Sequence, residues 1–388
     1  MFARAILFAL AFPLLAADSN SLPVPPPAAP SPHEFAIMAW GDTPSDPQQL
    51  RWMKEAGFNI TGFCRPAALP AVAAAGLACF VDDPRANGYR WRTLPPDSEI
   101  RASLTSLARE IGTSPAALGV FLRDEPFTPQ LPGLAKVAAM VREVMPGKLT
   151  YINIFPWTLS RRVLGSDYES HARAVLDTVG QPFLSNDNYS LVDGAMLDYF
   201  YTNLDIVRRV SLAVGKPFWN CILAVAHNNY MLPAEETLRL QVFATLAYGG
   251  RGIEYFRYFT RGIGDYRGGA IDPFGERTPT WDVIRRLNRE IAALAPTLLR
   301  LHSLGVYHYP EVPDQGAGLS GARYVASVRT GIEVAGEGYS QTKEMLHRIL
   351  GRQTPAPSLI GEFEDGSGRP YVMLVNKSLD HPFSSRFN

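Results

Sequence analysis

The chain has 388 residues, enough for one large domain and a small second one. Its 46% hydrophobic and 19% charged content exclude a disordered chain and one built of membrane spans. Lys plus Arg and Asp plus Glu balance at 37 each, so there is no electrostatic footprint for nucleic acid or an anionic membrane.

Met1 to Arg4 give a short positive start, and the apolar run Ala5 to Leu15 closes on Ala16 and Ala17. This is the pattern of a secretory signal, too short to span a bilayer, although Leu14 or Leu15 at the cleavage-side position fits the small-x-small rule poorly. A signal peptide over 1–17 and export to the periplasm or exterior are expected. Residues 18–32, with the run SLPVPPPAAPSP, read as a Pro-rich spacer.

Over 33–303 one unit repeats: a short apolar run, a polar loop, then an amphipathic helical stretch. The apolar runs are EFAIMAWG, NITGFC, LACFV, LGVFLRDE, LTYINIF, PFLSNDNY, PFWNCIL and RGIEYFRYF. Helical periods lie between them, among them DPQQLRWMKEA, LAKVAAMVREV, LDIVRRVSLAV and EETLRLQVFATLAY. Gly57, Gly76, Gly180, Gly215 and Gly249 each fall just past a helical stretch, where a left-handed C′ residue is wanted. Such a succession predicts a closed (β/α)₈ barrel. An open doubly wound sheet would want a glycine-rich phosphate turn after its first strand, and Trp40-Gly41-Asp42-Thr43-Pro44 is not one.

Cys64, Cys79 and Cys221 lie in apolar runs without CxxC spacing, so buried free thiols are expected. No metal site and no cofactor motif follows. After about Leu304, GVYHYP, ARYVASVRTGIEVAG, SLIGEFED and RPYVMLVNKS read as short strands, with a helical insert near Gln341 to Leu350. A small antiparallel β domain over 304–388 is expected. With only four or five strands it would leave an exposed edge, so it should pack on the barrel or be incomplete.

In such a barrel the chemistry sits at the C-terminal strand ends. Those ends offer Trp40 and Asp42, Cys64 and Arg65, Asp82 and Asp83, Asp124 and Glu125, then Asn153 and Phe155. Asp187 and Tyr189, His227 and Asn228, and Glu254 to Tyr258 complete the set. Phosphate chemistry would want basic groups or a glycine cradle. Carboxylates, amides and rings suit a sugar. Glu125 ends the fourth strand before Pro126, and strict alternation would put Phe121, Arg123 and Glu125 on one face with Asp124 opposite.

FLRDEP resembles the Asn-Glu-Pro end of the fourth strand in clan A glycoside hydrolases, with Asp124 in place of the Asn. The stretch from Leu118 to about Leu304 is similar to little-studied bacterial barrel proteins distantly related to the family 42 β-galactosidases. GVFLRDEP, YINIFP, the Asp-x-Tyr of SNDNY, NLDIVRR, LAYGGRGIEYFRYF and PTWD carry the likeness. The resemblance implies Glu125 as the acid/base, and a salt bridge to Arg123 is its structural alternative. It also implies a nucleophilic Glu at the seventh strand, where PFWNCILAVAHNN holds no acid. Asp187 is the preferred partner, sharing a face with Ser185 and Tyr189; Glu254, deeper in the eighth strand, and Asp82 or Asp83 are alternatives.

Asn153, Asp124, Trp40, Tyr189, Trp219, His227 and Tyr258 are the candidate substrate contacts. The loop TRGIGDYRGGAIDPFGERTP reads as a lid or subsite wall, with Asp265 and Asp272 as further carboxylates, and Trp281 is expected to cap the last helix. The expected function is hydrolysis of an oligo- or polysaccharide. A carbohydrate-binding barrel without the seventh-strand nucleophile is the alternative. A lyase or metal-dependent hydrolase ranks last, since only His227 is at hand as a ligand.

Overall fold

The computed structural model describes residues 31, 33–330, 357–379 and 385–387. The signal-like 1–17, nearly all of the spacer and the helical insert near Gln341 to Leu350 lie outside them. Eight parallel strands close into a barrel in chain order. They are β1 (Ala36–Ala39), β2 (Ile60–Cys64), β3 (Ala78–Val81), β4 (Ala117–Asp124), β5 (Leu149–Ile154), β6 (Leu184–Asp187), β7 (Phe218–Leu223) and β8 (Gly252–Phe256). Every apolar run named above supplies one of them.

The intervening helices start and stop on local signals. Asp46 caps Pro47–Glu55 by accepting from the Gln48 amide at 2.9 Å, and Asp167 caps Tyr168–Asp177 through the Ser170 amide at 2.8 Å. Each such cap is worth about 1 kcal/mol. The five glycines singled out as helix stops all have positive φ, from 65° at Gly76 to 87° at Gly249. Among the described residues no helix is long and apolar enough to cross a membrane.

Alternation along the strands sorts their side chains into two layers. Outward residues such as Ile37, Val120, Ile152 and Ile222 pack beneath the helices, where each fully buried aliphatic chain stabilises by roughly 1.5–3 kcal/mol. Inward residues Met38, Phe63, Phe80, Leu118, Phe183 and Trp219 fill the barrel's lower half. Trp219, expected among the substrate contacts, belongs to this packed interior. It is 3% exposed and stacks on Phe183 at 3.6 Å, and a Cβ on Gly252 would collide with its ring. Tyr258 is also removed from the site: it is 1% exposed, packs edge-on to Phe58 and accepts from Trp281 Nε1 at 3.0 Å in the outer layer.

The free-thiol expectation is corrected as well. Cys64 and Cys79, on adjacent strands, form a disulfide, and Cys221 alone is free and buried.

After the last barrel helix, Pro279–Leu298, come β9 (Leu301–Tyr309), β10 (Ser358–Asp365) and β11 (Pro370–Asn376), paired as an antiparallel sheet with β10 central. The sheet packs on helix Glu235–Ala247, where a side chain on Gly361 would strike the Ala247 carbonyl.

Candidate active site

The site begins at an irregularity of β4. Phe121 pairs with Tyr151 and Arg123 with Ile152, so Leu122 is an extra residue bulged into the outer core. The bulge reverses the expected faces beyond it. Arg123 is exposed, and Asp124 turns inward to accept from Asn153 Nδ2 at 3.1 Å. Glu125 then takes a left-handed backbone with φ of 46° while its amide donates to the Asn153 carbonyl at 2.8 Å. Such a conformation in a side-chain-bearing residue costs about 1–2 kcal/mol and persists only where surrounding contacts hold it. It directs the Glu125 carboxyl toward Asp187, with which it is electrostatically coupled. No ion pair among the described residues joins Glu125 to Arg123; the charge of Arg123 acts on Asp124 instead.

Asp187 ends β6 and is 9% exposed. Its Oδ1 accepts from Asn153 Nδ2 at 2.8 Å and from the Tyr189 hydroxyl at 3.0 Å. Asn153, fully buried, thus bridges Asp124 and Asp187 with its two amide hydrogens. Burial pushes Glu125 up to about 7, and the Asp124 charge adds to the rise while the bond from Asp187 opposes it. Burial, reinforced by Asp124, also raises Asp187 well above the usual carboxylate range. The two carboxyls are coupled and titrate as a pair.

A cluster of rings extends from Tyr189, the one that bonds Asp187. Phe256 lies 5.2 Å from Trp40, 4.9 Å from Tyr189 and 5.5 Å from His227, and the Tyr266 ring stacks on His227 at 5.2 Å. Tyr266 belongs to the loop after β8, which is tied to the end of β7 by paired backbone bonds between Ala226 and Arg267. His227 is half-buried, its Nδ1 stands 3.3 Å from the Val225 carbonyl, and burial lowers its pKa. It is a neutral ring in an aromatic wall.

The remaining acids are otherwise engaged. Glu254 is fully buried below the pair, bonded to Tyr151 and Ser185. Asp83 caps a short helix and pairs with Arg85 at 2.8 Å, and Asp82 accepts from Asn87 at 2.6 Å. Asp272 holds a turn through the Phe274 and Glu276 amides, and Asp265 lies 3.7 Å from Arg267. Among the described residues no group of three or more His, Cys, Asp or Glu side chains is arranged to hold a metal ion.

Sequence reasoning missed Tyr151, and it reached Phe256 and Tyr266 only as members of the Glu254 to Tyr258 strand end and of the loop read as a subsite wall. Tyr151 was within reach of it, because alternation in YINIF puts Tyr151 and Asn153 on one face.

The fold is similar to that of the β-galactosidase of the psychrophilic Marinomonas ef1, with a TM-score of 0.55 and 12% identity over 70% of this chain and 62% of that one. It is likewise similar to the cold-adapted β-galactosidase of Rahnella sp. R3, with a TM-score of 0.54 and 13% identity over 72% of this chain and 59% of that one. The chain spans about three fifths of the length of these two proteins. At such identities the likeness is one of fold. No family model matches the chain, and no curated protein does.

Proposed function

We propose that this barrel is a glycoside hydrolase in which Glu125 and Asp187 form the catalytic pair. The observation that carries the proposal is the grouping of Glu125 and Asp187 at nearby strand ends around Asn153, whose side-chain amide reaches Asp124 and Asp187 while its backbone carbonyl holds the Glu125 amide, with both carboxyls raised by burial. Glycoside hydrolysis needs one carboxyl protonated to release the leaving oxygen and one ionised to attack or to activate water. A coupled pair of buried carboxyls is suited to both roles.

Glu125, half-buried and more accessible than Asp187, is assigned as the acid. Asp187, whose Oδ1 is held by Asn153 and Tyr189, is the nucleophile. With Asp187 as nucleophile, hydrolysis proceeds by double displacement through a covalent glycosyl-enzyme intermediate. Retention of anomeric configuration follows. Trp40, Phe256, Tyr189 and Tyr266 offer faces for sugar C–H groups. The two β-galactosidases of similar fold support this class of substrate. The Cys64–Cys79 disulfide supports the proposal of an exported protein, since such bonds persist in oxidising compartments.

One observation favours a second reading, a carbohydrate-binding barrel: Phe218–Leu223 and the Ala224-Val225-Ala226 that follow carry no carboxyl. Turnover of a panel of aryl glycosides by wild type, E125Q and D187N separates the two. Hydrolysis by wild type that both substitutions abolish supports the glycosidase. Sugar binding without turnover by any of the three supports the binding barrel, and equal turnover by all three overturns the assignment of the pair.

A further inference from the structure

Beneath the carboxyl pair, Tyr151, Asn153, Ser185 and Glu254 are all fully buried, and their hydrogens can be counted. The Ser185 hydroxyl has one proton and faces Asn153 Oδ1 at 2.8 Å, Glu254 Oε2 at 2.7 Å and the Tyr151 hydroxyl at 2.9 Å. The Tyr151 hydroxyl also has one proton. It accepts from Trp40 Nε1 at 3.1 Å and lies 3.0 Å from Glu254 Oε1. Asn153 spends both amide hydrogens on Asp124 and Asp187, so among the described residues its Oδ1 has Ser185 as sole donor.

If Glu254 were ionised, both hydroxyl protons would go to its carboxylate, and Asn153 Oδ1 would be left buried with no donor. With a proton on Glu254 Oε2, every hydrogen finds an acceptor. The chain then runs Trp40 to Tyr151, Tyr151 to Glu254, Glu254 to Ser185, Ser185 to Asn153, and Asn153 to the two aspartates. The reverse amide orientation would turn Oδ1 onto oxygens of Asp124 and Asp187 and would need a proton on each.

We propose that Glu254 is a neutral carboxylic acid and a positioning residue, acting through Ser185 to aim the Asn153 amide at Asp124 and Asp187. The groups around it agree. The titratable neighbours are Asp124 on β4, Tyr151 on β5, Asp187 at the end of β6, Tyr189 just beyond it and Cys221 on β7, while β1 presents Met38 at the paired position. The one charge acting on Glu254 is that of Asp124, of like sign. Burial raises Glu254 to about 7, with the Ser185 and Tyr151 bonds opposing the rise. The positioning role rests on the proposed function; the protonation state does not.

Infrared difference spectroscopy of wild type against E254Q at about pH 6 reads the proton without any substrate. The expected result is a carboxylic-acid carbonyl band in wild type that E254Q removes. In S185A, which deletes the acceptor, the band should move to higher frequency. A carboxylate band in its place, or a carbonyl band unmoved in S185A, overturns the proposal.

With a hydrolysed glycoside in hand, E254L should lower kcat at least about tenfold by loosening the pair. It should also move the acid limb of the pH profile upward, because Asp187 loses an oriented donor. E254Q, whose amide can donate to Ser185 and accept from Tyr151, should restore that limb. An E254L profile unchanged in shape would overturn the positioning role, whereas absence of turnover by wild type would overturn the glycosidase reading and leave the infrared result standing.

Discussion

Replacing Glu125 by Gln should stabilise this protein, and by an amount that depends on pH. Glu125 is pushed from 4.5 up to about 7 in the folded state, chiefly by burial, with Asp124 adding to it. A carboxyl whose folded pKa lies above its unfolded one contributes stability that is fully present below about pH 4.5. That contribution is lost as the pH rises through about 7. Each pH unit of that interval is worth about 1.4 kcal/mol, which sets a ceiling near 3 kcal/mol. Glu125 is only half-buried and titrates coupled to Asp187, so about 1–2 kcal/mol is expected after solvent screening.

Gln keeps the side-chain shape and the same left-handed backbone, so strain cancels in the comparison. Urea unfolding of wild type and E125Q at about pH 4 and about pH 8 measures the difference. The advantage of E125Q should be near zero at the lower pH and about 1–2 kcal/mol at the higher. An advantage equal at both pH values, or reversed, would refute the claim that this site holds its acid at a cost in stability.

Tyr189→Phe removes a hydrogen bond to the charged form of Asp187 worth about 1.5–3 kcal/mol, so the acid limb of kcat/KM should move up by about 1–2 pH units with the alkaline limb little changed. Trp219→Ala should cost about 3–5 kcal/mol in unfolding experiments through the cavity it leaves inside the barrel, while KM for any hydrolysed glycoside stays within about twofold. Joint replacement of Cys64 and Cys79 by Ser should cost about 2–3 kcal/mol, since the bond closes a loop with a sequence separation of 15, and adding reductant to wild type should reproduce the loss. Proton NMR of the first-formed sugar should show the substrate's own anomer; the opposite anomer would rule out Asp187 as nucleophile.

Much of this architecture is legible in the sequence because it rests on local rules. Apolar runs of strand length, helical periods between them and glycines placed for left-handed stops locate all eight barrel strands. Asp187 is legible for the same reason, as a period of two carries Ser185 and Asp187 onto one face. What is not legible depends on neighbours. The bulge at Leu122 arises from how β4 pairs with β5 and turns Asp124 inward, and the left-handed backbone at Glu125 that follows directs its carboxyl toward Asp187. Trp219 and Tyr258 carry the side chains a sugar site wants, but depth along the barrel places one below the site and facing places the other behind it. The Cys64–Cys79 bond likewise depends on β2 and β3 lying side by side, which no spacing in the chain reveals.

The central claim, that Glu125 protonates the leaving group while Asp187 attacks, is tested most directly by the leaving-group dependence of kcat/KM over a series of aryl glycosides. With E125Q the rate should fall by about 10²–10⁴ for poor leaving groups and approach wild type for the most acidic phenols, whereas D187N should be impaired across the whole series. A uniform loss across the series in E125Q, or unimpaired hydrolysis by D187N, would contradict it.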